Sequence, residues 1–238
     1  HHQLAKDWLL RDGTTYEENR ELGAKRARAA ILMELALPGS TYIYQGEELG
    51  LPEVADIPWD ELEDPTAFNS VREQIEKGRD GCRVPLPWVA ADAPKLDDPD
   101  DEFGHDGSFG FSPAGAEHDP HLPQPKWYKD FAVDVEDADP NSMLNLYRRV
   151  LALRHELQTT DLSLEWLPED QPGKAHDGAN GFPGGTIAYR RANGWASITN
   201  FGEEPITLPQ GEVLLTSGPL TDDGKLPQDT SAWLKLAD

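Results

Sequence analysis

The sequence has 238 residues, in which 44 Asp and Glu outnumber 21 Lys and Arg, so the formal net charge is −23. Such a charge argues against a nucleic-acid partner, because phosphate binding needs clustered basic side chains that release counterions. An anionic membrane surface is disfavoured for the same reason, and no apolar run approaches the roughly 20 residues that span a bilayer. With 37% apolar residues, we expect a globular protein of one or two domains.

Cys82 is the only cysteine, so an intrachain disulfide is impossible. This cysteine usage is typical of a reducing compartment and predicts a cytoplasmic protein. The chain opens His1-His2-Gln3 without a Met or a charged and then apolar leader. This opening indicates either processing or a piece of a longer protein, and a piece carries no information on targeting.

The first regular pattern covers residues 19–37, where Ala and Leu are frequent and apolar residues recur three and four apart. This spacing predicts a helix, which Pro38-Gly39 ends. The β-branched and aromatic segment Ser40–Gln45 then predicts a short strand that ends at Gly46. A buried helix, a tight turn and a strand in this order favour an α/β unit of a parallel sheet.

Residues 46–138 hold no long regular pattern beyond short helices predicted around Pro65–Lys77. A loop of this length is improbable unless it is functional, so we interpret it as a large loop insertion over one face. Regularity returns at Asp139, which suits an N-cap, and at Pro140, which suits the first helical position of a helix ending near Gln158. The apolar face of that helix consists of Met143, Leu146, Val150, Leu153 and Leu157.

The last 75 or so residues change to short strands separated by turn residues. Asn193-Gly194 is a strong hairpin signal between the first two strands. We predict a small antiparallel sheet domain here. Its strands are predicted at Thr186–Arg191, Trp195–Asn200, Val213–Thr216 and Ala232–Leu236.

Glu47-Glu48 follows the predicted strand end, where catalytic carboxylates of α/β enzymes commonly lie. Catalysis of glycoside cleavage needs two carboxyl groups that face one bond across about 5 Å or more. Adjacent side chains generally point in different directions. We therefore interpret this pair as hydrogen-bonding support for a site rather than as a catalytic pair.

The acidic run at residues 97–102 invites comparison with a calcium-binding loop, which needs Gly at its sixth position and Glu at its twelfth. Counting from Asp98, those positions hold Phe103 and Phe109, so the match fails. We interpret the run as a solvated acidic loop. Three histidines that follow lack the helical spacing of a zinc site and are interpreted as surface residues: His105, His118 and His121.

Gly78–Arg83 contains two arginines four residues apart in a segment broken by glycines, and Trp88 follows. Guanidinium groups bind carboxylates or sugar hydroxyls, and Trp stacks on sugars or fills a core. The residues alone leave a loop-pinning ion pair and a ligand-binding site equally open. Cys82, without a visible His-Asp partner, is interpreted as a small buried residue rather than a nucleophile.

Three segments together resemble α-glucosidases of glycoside hydrolase family 13, the α-amylase superfamily. Leu37–Gly50 resembles the segment of the eighth barrel strand, Gly78–Trp88 the arginine-bearing loop after it, and Asp139–Arg149 the opening of the last barrel helix. The resemblance implies an α/β plus β fold. Residues 1–160 would be the C-terminal portion of a (β/α)8 TIM barrel, and residues 161–238 a small antiparallel β-sandwich domain.

The resemblance implies a retaining α-glucosidase that releases terminal α-linked glucose from a small oligosaccharide or disaccharide. The family's catalytic Asp, Glu and His-Asp pair lie upstream of strand eight, and His1-His2 is not that pair, because no Asp follows it. A complete barrel takes about 250 residues. We therefore expect a missing N-terminal barrel portion of the same protein, an inactive isolated chain, and no metal or organic cofactor. The resemblance implies substrate-binding roles for Arg79, Arg83, Gln45, Glu47 and Glu48.

Two alternatives remain open. Glucosyl-transferring or isomerising relatives, such as trehalose synthase and sucrose isomerase, share these motifs. A non-catalytic carbohydrate-binding or scaffold protein could retain only the sheet domain and the barrel edge. The resemblance implies that the residues that usually set linkage preference flank the absent nucleophile.

Overall fold

The computed structural model describes residues 20–70, 77–167 and 184–237. They form two compact units, one of residues 43–145 and the other of residues 20–42 with 146–237. The domain boundary at residue 160 stays a prediction. In the described part of the chain, no helix combines the length and the apolar character needed to cross a membrane. The helices and strands are α1 (Arg20–Leu35), α2 (Pro65–Ser70), α3 (Val133–Ala138), α4 (Met143–Leu157), β1 (Leu164–Trp166), β2 (Thr186–Arg191), β3 (Trp195–Asn200), β4 (Gly211–Thr216) and β5 (Thr230–Leu236).

The five strands form one antiparallel sheet in the order β1-β2-β3-β5-β4. In the β2–β3 hairpin, Thr186 lies opposite Asn200. Gly194 in the connecting turn has φ +78, and its amide donates to the carbonyl of Arg191 at 3.1 Å. The predicted hairpin is therefore confirmed, because glycine adopts this positive φ without strain.

Helix α1 packs against this sheet. Trp233 of β5 is fully buried, and its Nε1 donates to the carbonyl of Leu32 at 3.0 Å. The hydroxyl of Tyr189 in β2 donates to the carbonyl of Met33. The described residues thus form one sheet with α1 packed on it, and the predicted β-sandwich stays a prediction.

The strand predicted at Ser40–Gln45 is not formed. Helix α1 ends before Pro38-Gly39 as predicted, but residues 40–44 adopt no regular structure, and the side chain of Tyr42 is 91% exposed. A strand requires a neighbour that bonds its backbone groups, and this segment pairs with no strand in the described residues. The predicted parallel α/β unit is therefore not seen there.

Helix α4 begins at Met143, three residues later than its predicted start. Oγ of Ser142 accepts the amide of Asn145 at 3.1 Å, which makes Ser142 the N-cap. Asp139 instead accepts the amide of Asn141 at 2.8 Å in the preceding turn. The predicted cap was wrong, whereas the first three residues of the predicted apolar face are buried.

Residues 43–145 form a unit with its own core despite having little regular structure. The amide of Trp88 donates to the carbonyl of Phe109 at 2.7 Å, and the buried amide group of Gln124 donates to the carbonyl of Pro85 at 2.8 Å. Residues 71–76 of the helical region predicted at Pro65–Lys77 lie outside the described residues. The core consists of Val54, Ile57, Leu62, Ala67, Val84, Phe109, Leu122 and Tyr128.

Candidate functional site

The substrate-binding residues predicted from the sequence all lie in the unit of residues 43–145. Three of them belong to the turn Gln45–Gly50. Gly46 has φ +90, and its amide donates to Oε2 of Glu48 at 2.9 Å. The amide of Leu51 donates to the carbonyl of Gly46 at 3.1 Å. Glu48 thus stabilises its own turn, while Gln45 is exposed.

This turn packs against the segment that follows the second arginine. A Cβ atom on Gly46 would lie 3.2 Å from Cδ2 of Leu86. The backbone of Gly46 is therefore in close contact with a residue three positions after Arg83. The structure brings the turn and the arginine segment together within one unit.

Both arginines bind one buried carboxylate, that of Asp64. Its Oδ2 accepts Nε of Arg79 at 3.0 Å and lies 3.4 Å from an NH1 group of Arg83. The amide of Thr66 donates to Oδ1 at 2.9 Å. The arginines therefore tie their loop to the start of α2, as the loop-pinning interpretation predicts.

The same arginines also reach solvent. The Arg79 side chain is 66% exposed and the Arg83 side chain 39% exposed, whereas the Asp64 side chain is 0% exposed. A guanidinium has five N–H donors, so bonds to one carboxylate leave donors for a ligand. Pinning and ligand binding are compatible here, and the substrate-binding role stays a prediction.

Asp64 is held in its ionised form. Its pKa lies well below its usual range, chiefly because the amide of Thr66 donates to the carboxylate. Burial acts in the opposite direction, and the side chain of Arg79 adds to the lowering. At neutral pH the bonds to the arginines are therefore charge-assisted, which makes them stronger than bonds between neutral groups.

A second buried carboxylate supports this arrangement. Oδ2 of Asp80 accepts the amides of Glu63 at 2.6 Å and of Asp64 at 2.8 Å. Nζ of Lys77 donates to the carbonyl of Ile57 at 2.7 Å. Residues 57–64 are therefore bonded to the loop on both sides of Arg79, through Lys77 before it and Asp80 after it.

Position 78 requires glycine for two reasons: its backbone has a positive φ, and Asp64 leaves no room for a Cβ atom. It has φ +77, and a Cβ there would lie 2.7 Å from Cγ of Asp64. Gly115 has φ +78 with nothing within 4 Å of such a Cβ. The two glycines therefore share the conformational requirement and differ only in the steric one.

We expect Gly78→Ala to lower the free energy of unfolding by about 3 kcal/mol, because steric overlap adds to the strain of a positive φ. Gly115→Ala should lower it by only about 1 kcal/mol, from strain alone. Urea denaturation of both variants measures the difference. Equal losses would contradict the tight contact between Gly78 and Asp64.

The residues missed by sequence reasoning are Asp64 and Asp80. Asp64-Pro65 carries the same signal as Asp139-Pro140, an acidic cap followed by proline in the first helical position. At the later pair the signal does not mark the cap, because Ser142 accepts the amide of Asn145. No comparable signal marks Asp80, because its bonds to backbone amides depend on the folded loop.

Trp88 and Cys82 belong to the same segment as the arginines. The Trp88 side chain is 49% exposed, so it does not fill the core. Sγ of Cys82 donates to the carbonyl of Arg79 at 3.1 Å, and burial, followed by the charge of Glu53, raises its pKa. The raised pKa favours the protonated thiol over the nucleophilic thiolate, but Cys82 is half-buried and not the buried residue that was predicted.

The acidic run at residues 97–102 is mostly exposed, as predicted for a solvated loop, and the three histidines after it are also exposed. Among the residues that the structure describes, no cluster of three or more His, Cys, Asp or Glu side chains is placed to hold a metal ion. A cavity of about 500 Å³ lies between residues 91–95 and 106–120. Its lining includes none of the predicted substrate-binding residues.

Residues 9–161 match the family model described as "Alpha amylase, catalytic domain". A "Probable alpha-glucosidase" of Rhizobium meliloti (strain 1021) is 40% identical over 126 residues, which cover 53% of this chain and 18% of that protein. An "Alpha-glucosidase" of Candida albicans is 27% identical over 233 residues, which cover 88% of this chain and 36% of that protein. The chain thus spans well under half the length of these relatives.

Solved structures give the same picture of the fold. A Bacillus licheniformis trehalose-6-phosphate hydrolase (TreA) superposes with a TM-score of 0.62 at 23% identity, over 92% of this chain and 39% of that one. The α-glucosyl transfer enzyme XgtA superposes with a TM-score of 0.58 at 28% identity, over 88% of this chain and 35% of that one. Each likeness covers both compact units and only part of the larger protein.

Proposed function

The chain belongs to the α-amylase catalytic-domain family, and on that premise we propose that it is the C-terminal part of a retaining α-glucosidase. The substrate would be a terminal α-linked glucose of a small oligosaccharide or disaccharide. The names of the two relatives support this choice. The observation that carries it is the pair of partly exposed guanidinium groups anchored on buried Asp64.

In the proposed mechanism, an Asp attacks the anomeric carbon while a Glu protonates the leaving oxygen, and water then releases glucose from the covalent intermediate. Both catalytic carboxylates would lie in the part of the protein that precedes this chain. The small share of each relative that the chain covers supports this expectation. No step of this chemistry requires a metal or an organic cofactor.

This chain would contribute groups at the wall of the substrate pocket. Arg79 and Arg83 would donate hydrogen bonds to the sugar beyond the cleaved bond or to the catalytic carboxylates. Gln45, Glu47 and Glu48 would lie at the rim of the same pocket. Such groups affect rate through placement, because an error of about 1 Å costs about 100-fold.

The proposal is tested by turnover of p-nitrophenyl α-glucoside and maltose. The full-length protein should release glucose from both with retention of configuration, whereas the isolated chain should release none. Proton NMR of the first-formed glucose anomer measures the stereochemical outcome. Stoichiometric hydrolysis by the isolated chain would contradict the placement of the catalytic carboxylates outside it. Sugar binding without any hydrolysis by the full-length protein would favour the non-catalytic alternative.

Glucosyl transfer is the second candidate, and the likeness to XgtA favours it. The chemistry to the covalent intermediate is shared, and only the acceptor differs between water and a sugar. Incubation of the full-length protein with sucrose, maltose and isomaltose, followed by chromatography of the products, separates the two. Free glucose as the main product supports hydrolysis, and new disaccharides support transfer or isomerisation.

A further inference from the structure

Asp64 is a charged side chain with an exposed fraction of 0%. Burial of a carboxylate is costly unless the group is paired and hydrogen-bonded. Here Oδ1 accepts the amide of Thr66 at 2.9 Å, and Oδ2 accepts Nε of Arg79 at 3.0 Å. Each carboxylate oxygen therefore accepts a hydrogen bond. The bond from Arg79 offsets part of the cost of burying the charge and ties Asp64 to the loop that carries the arginines.

The position of Asp64 is also fixed from its backbone and its surroundings. Its amide donates to Oδ2 of Asp80 at 2.8 Å, and the amide of Glu63 donates to the same oxygen at 2.6 Å. A Cβ on Gly78 would lie 2.8 Å from Cβ of Asp64, so the loop backbone lies directly against the side chain. Asp64 therefore has little freedom to move relative to the arginine loop.

The carboxylate of Asp64 thus binds two guanidinium groups. Arg83 approaches the same Oδ2 atom through NH1 at 3.4 Å, and both arginine side chains remain partly exposed. Because the two cations share one anchoring atom, a change at Asp64 alters both together.

We propose that Asp64 is a positioning residue that orients Arg79 and Arg83 as one unit toward the sugar on the far side of the cleaved bond. The inference rests on the function proposed above. Asp64 itself is buried and does not contact the substrate. It sets the direction of guanidinium donors whose planar geometry makes their hydrogen bonds sensitive to orientation.

The test compares two substrates in the full-length enzyme that carries Asp64→Asn. This variant keeps the shape of the side chain and an oxygen for the Thr66 amide, but it loses the charge that anchors the arginines. We expect kcat/KM for maltose to fall by about 10- to 100-fold, and kcat/KM for p-nitrophenyl α-glucoside by less than about 3-fold. The aryl leaving group has no sugar hydroxyls for the arginines to bind.

The ratio of the two kcat/KM values separates positioning from loss of folded enzyme, because a smaller folded fraction lowers both values equally. Asp229→Asn is the matched control. It removes a buried carboxylate that binds Arg26 at 3.2 Å in the other unit, and it should leave the ratio unchanged. An unchanged ratio in Asp64→Asn would overturn the inference, even if its activity and stability fall.

Variants of the two arginines provide a second test, which does not require Asp64→Asn to fold. Arg79→Gln and Arg83→Gln should each lower the ratio of kcat/KM for maltose to kcat/KM for p-nitrophenyl α-glucoside. If the shared carboxylate couples the two arginines, the double variant should lower this ratio by less than the product of the two single effects. Independent, multiplicative effects would overturn the coupling. The single variants remove partly exposed side chains, so we expect them to fold.

If the unmodified enzyme shows no turnover, the proposed function is contradicted. A third measurement then tests whether Asp64 holds Arg79 and Arg83 in place. Phenylglyoxal labels accessible arginines, and mass spectrometry resolves the labelled positions. Faster labelling of Arg79 and Arg83 in Asp64→Asn supports the inference, with Asp229→Asn accelerating labelling only at Arg26. Unchanged labelling of Arg79 and Arg83 would overturn it.

Discussion

In the full-length enzyme, Arg83→Ala is expected to lower kcat/KM for maltose by about 100-fold while lowering the melting temperature by less than about 4 °C. The stability effect is small because the Arg83 side chain is 39% exposed and its NH1 lies 3.4 Å from Asp64. This contact is one of several that compensate the buried carboxylate, and a single hydrogen bond contributes about 1 kcal/mol net. Asp64 also keeps its bonds to Thr66 and Arg79 when Arg83 is removed.

Arg190→Ala is the matched control for Arg83. Its side chain is 38% exposed and bonds the carboxylate of Glu165 through Nη2 at 2.6 Å. The two arginines are therefore similarly exposed, although Glu165 is 58% exposed and Asp64 is buried, and Arg190 lies in β2. This variant should shift the melting temperature by a similar amount and leave kcat/KM unchanged. Steady-state kinetics and thermal unfolding of both variants measure the difference. Parallel losses of activity and melting temperature in Arg83→Ala would favour a purely structural role.

Elements with strong local signals were predictable from the sequence. The β2–β3 hairpin follows from Asn193-Gly194, because few other residue pairs adopt its positive φ values without strain. Helix α4 follows from apolar residues spaced three and four apart. Its cap was misassigned because Asp139 and Ser142 are both good capping residues. Only the folded backbone shows which of them accepts the amide of Asn145.

The features that were missed depend on contacts between residues distant in sequence. Asp64 is 15 residues from Arg79 and 19 from Arg83, and no periodicity links such positions. The segment Ser40–Gln45 has the composition of a strand, but composition does not supply the bonded neighbour that a strand needs. Residue type therefore predicted the arginines as candidates, whereas only the structure identified the carboxylate that anchors them.

A large stability effect is expected at Arg154, which lies in α4 and is buried. Its guanidinium donates to the carbonyls of Leu35, of Leu37 at 2.9 Å and of Gly39 at 2.6 Å. These groups lie at or beyond the end of α1, where backbone carbonyls have no partner within the helix. One side chain thus satisfies the end of α1 and holds the turn that follows it.

Arg154→Met is expected to lower the free energy of unfolding by about 3 kcal/mol, because bonds from a charged donor are lost and the buried carbonyl of Leu35 is left without this partner. Arg154→Lys should recover only part of the loss, since a single ammonium cannot match the spread of a planar guanidinium. Glu156→Gln, at an exposed position of the same helix, should change the free energy by less than about 0.5 kcal/mol. Urea denaturation measures these differences.

Hydrogen exchange locates the effect of Arg154→Met. If the guanidinium holds the end of α1, amides in its last turn and through Gly39 should exchange faster in this variant, while those of the β2–β3 hairpin should change little. Uniformly faster exchange would indicate a global loss of stability without a local role. Unchanged exchange around Leu37 would show that the turn is held by other contacts, such as the bond of 2.7 Å from Arg191 to the carbonyl of Ala36.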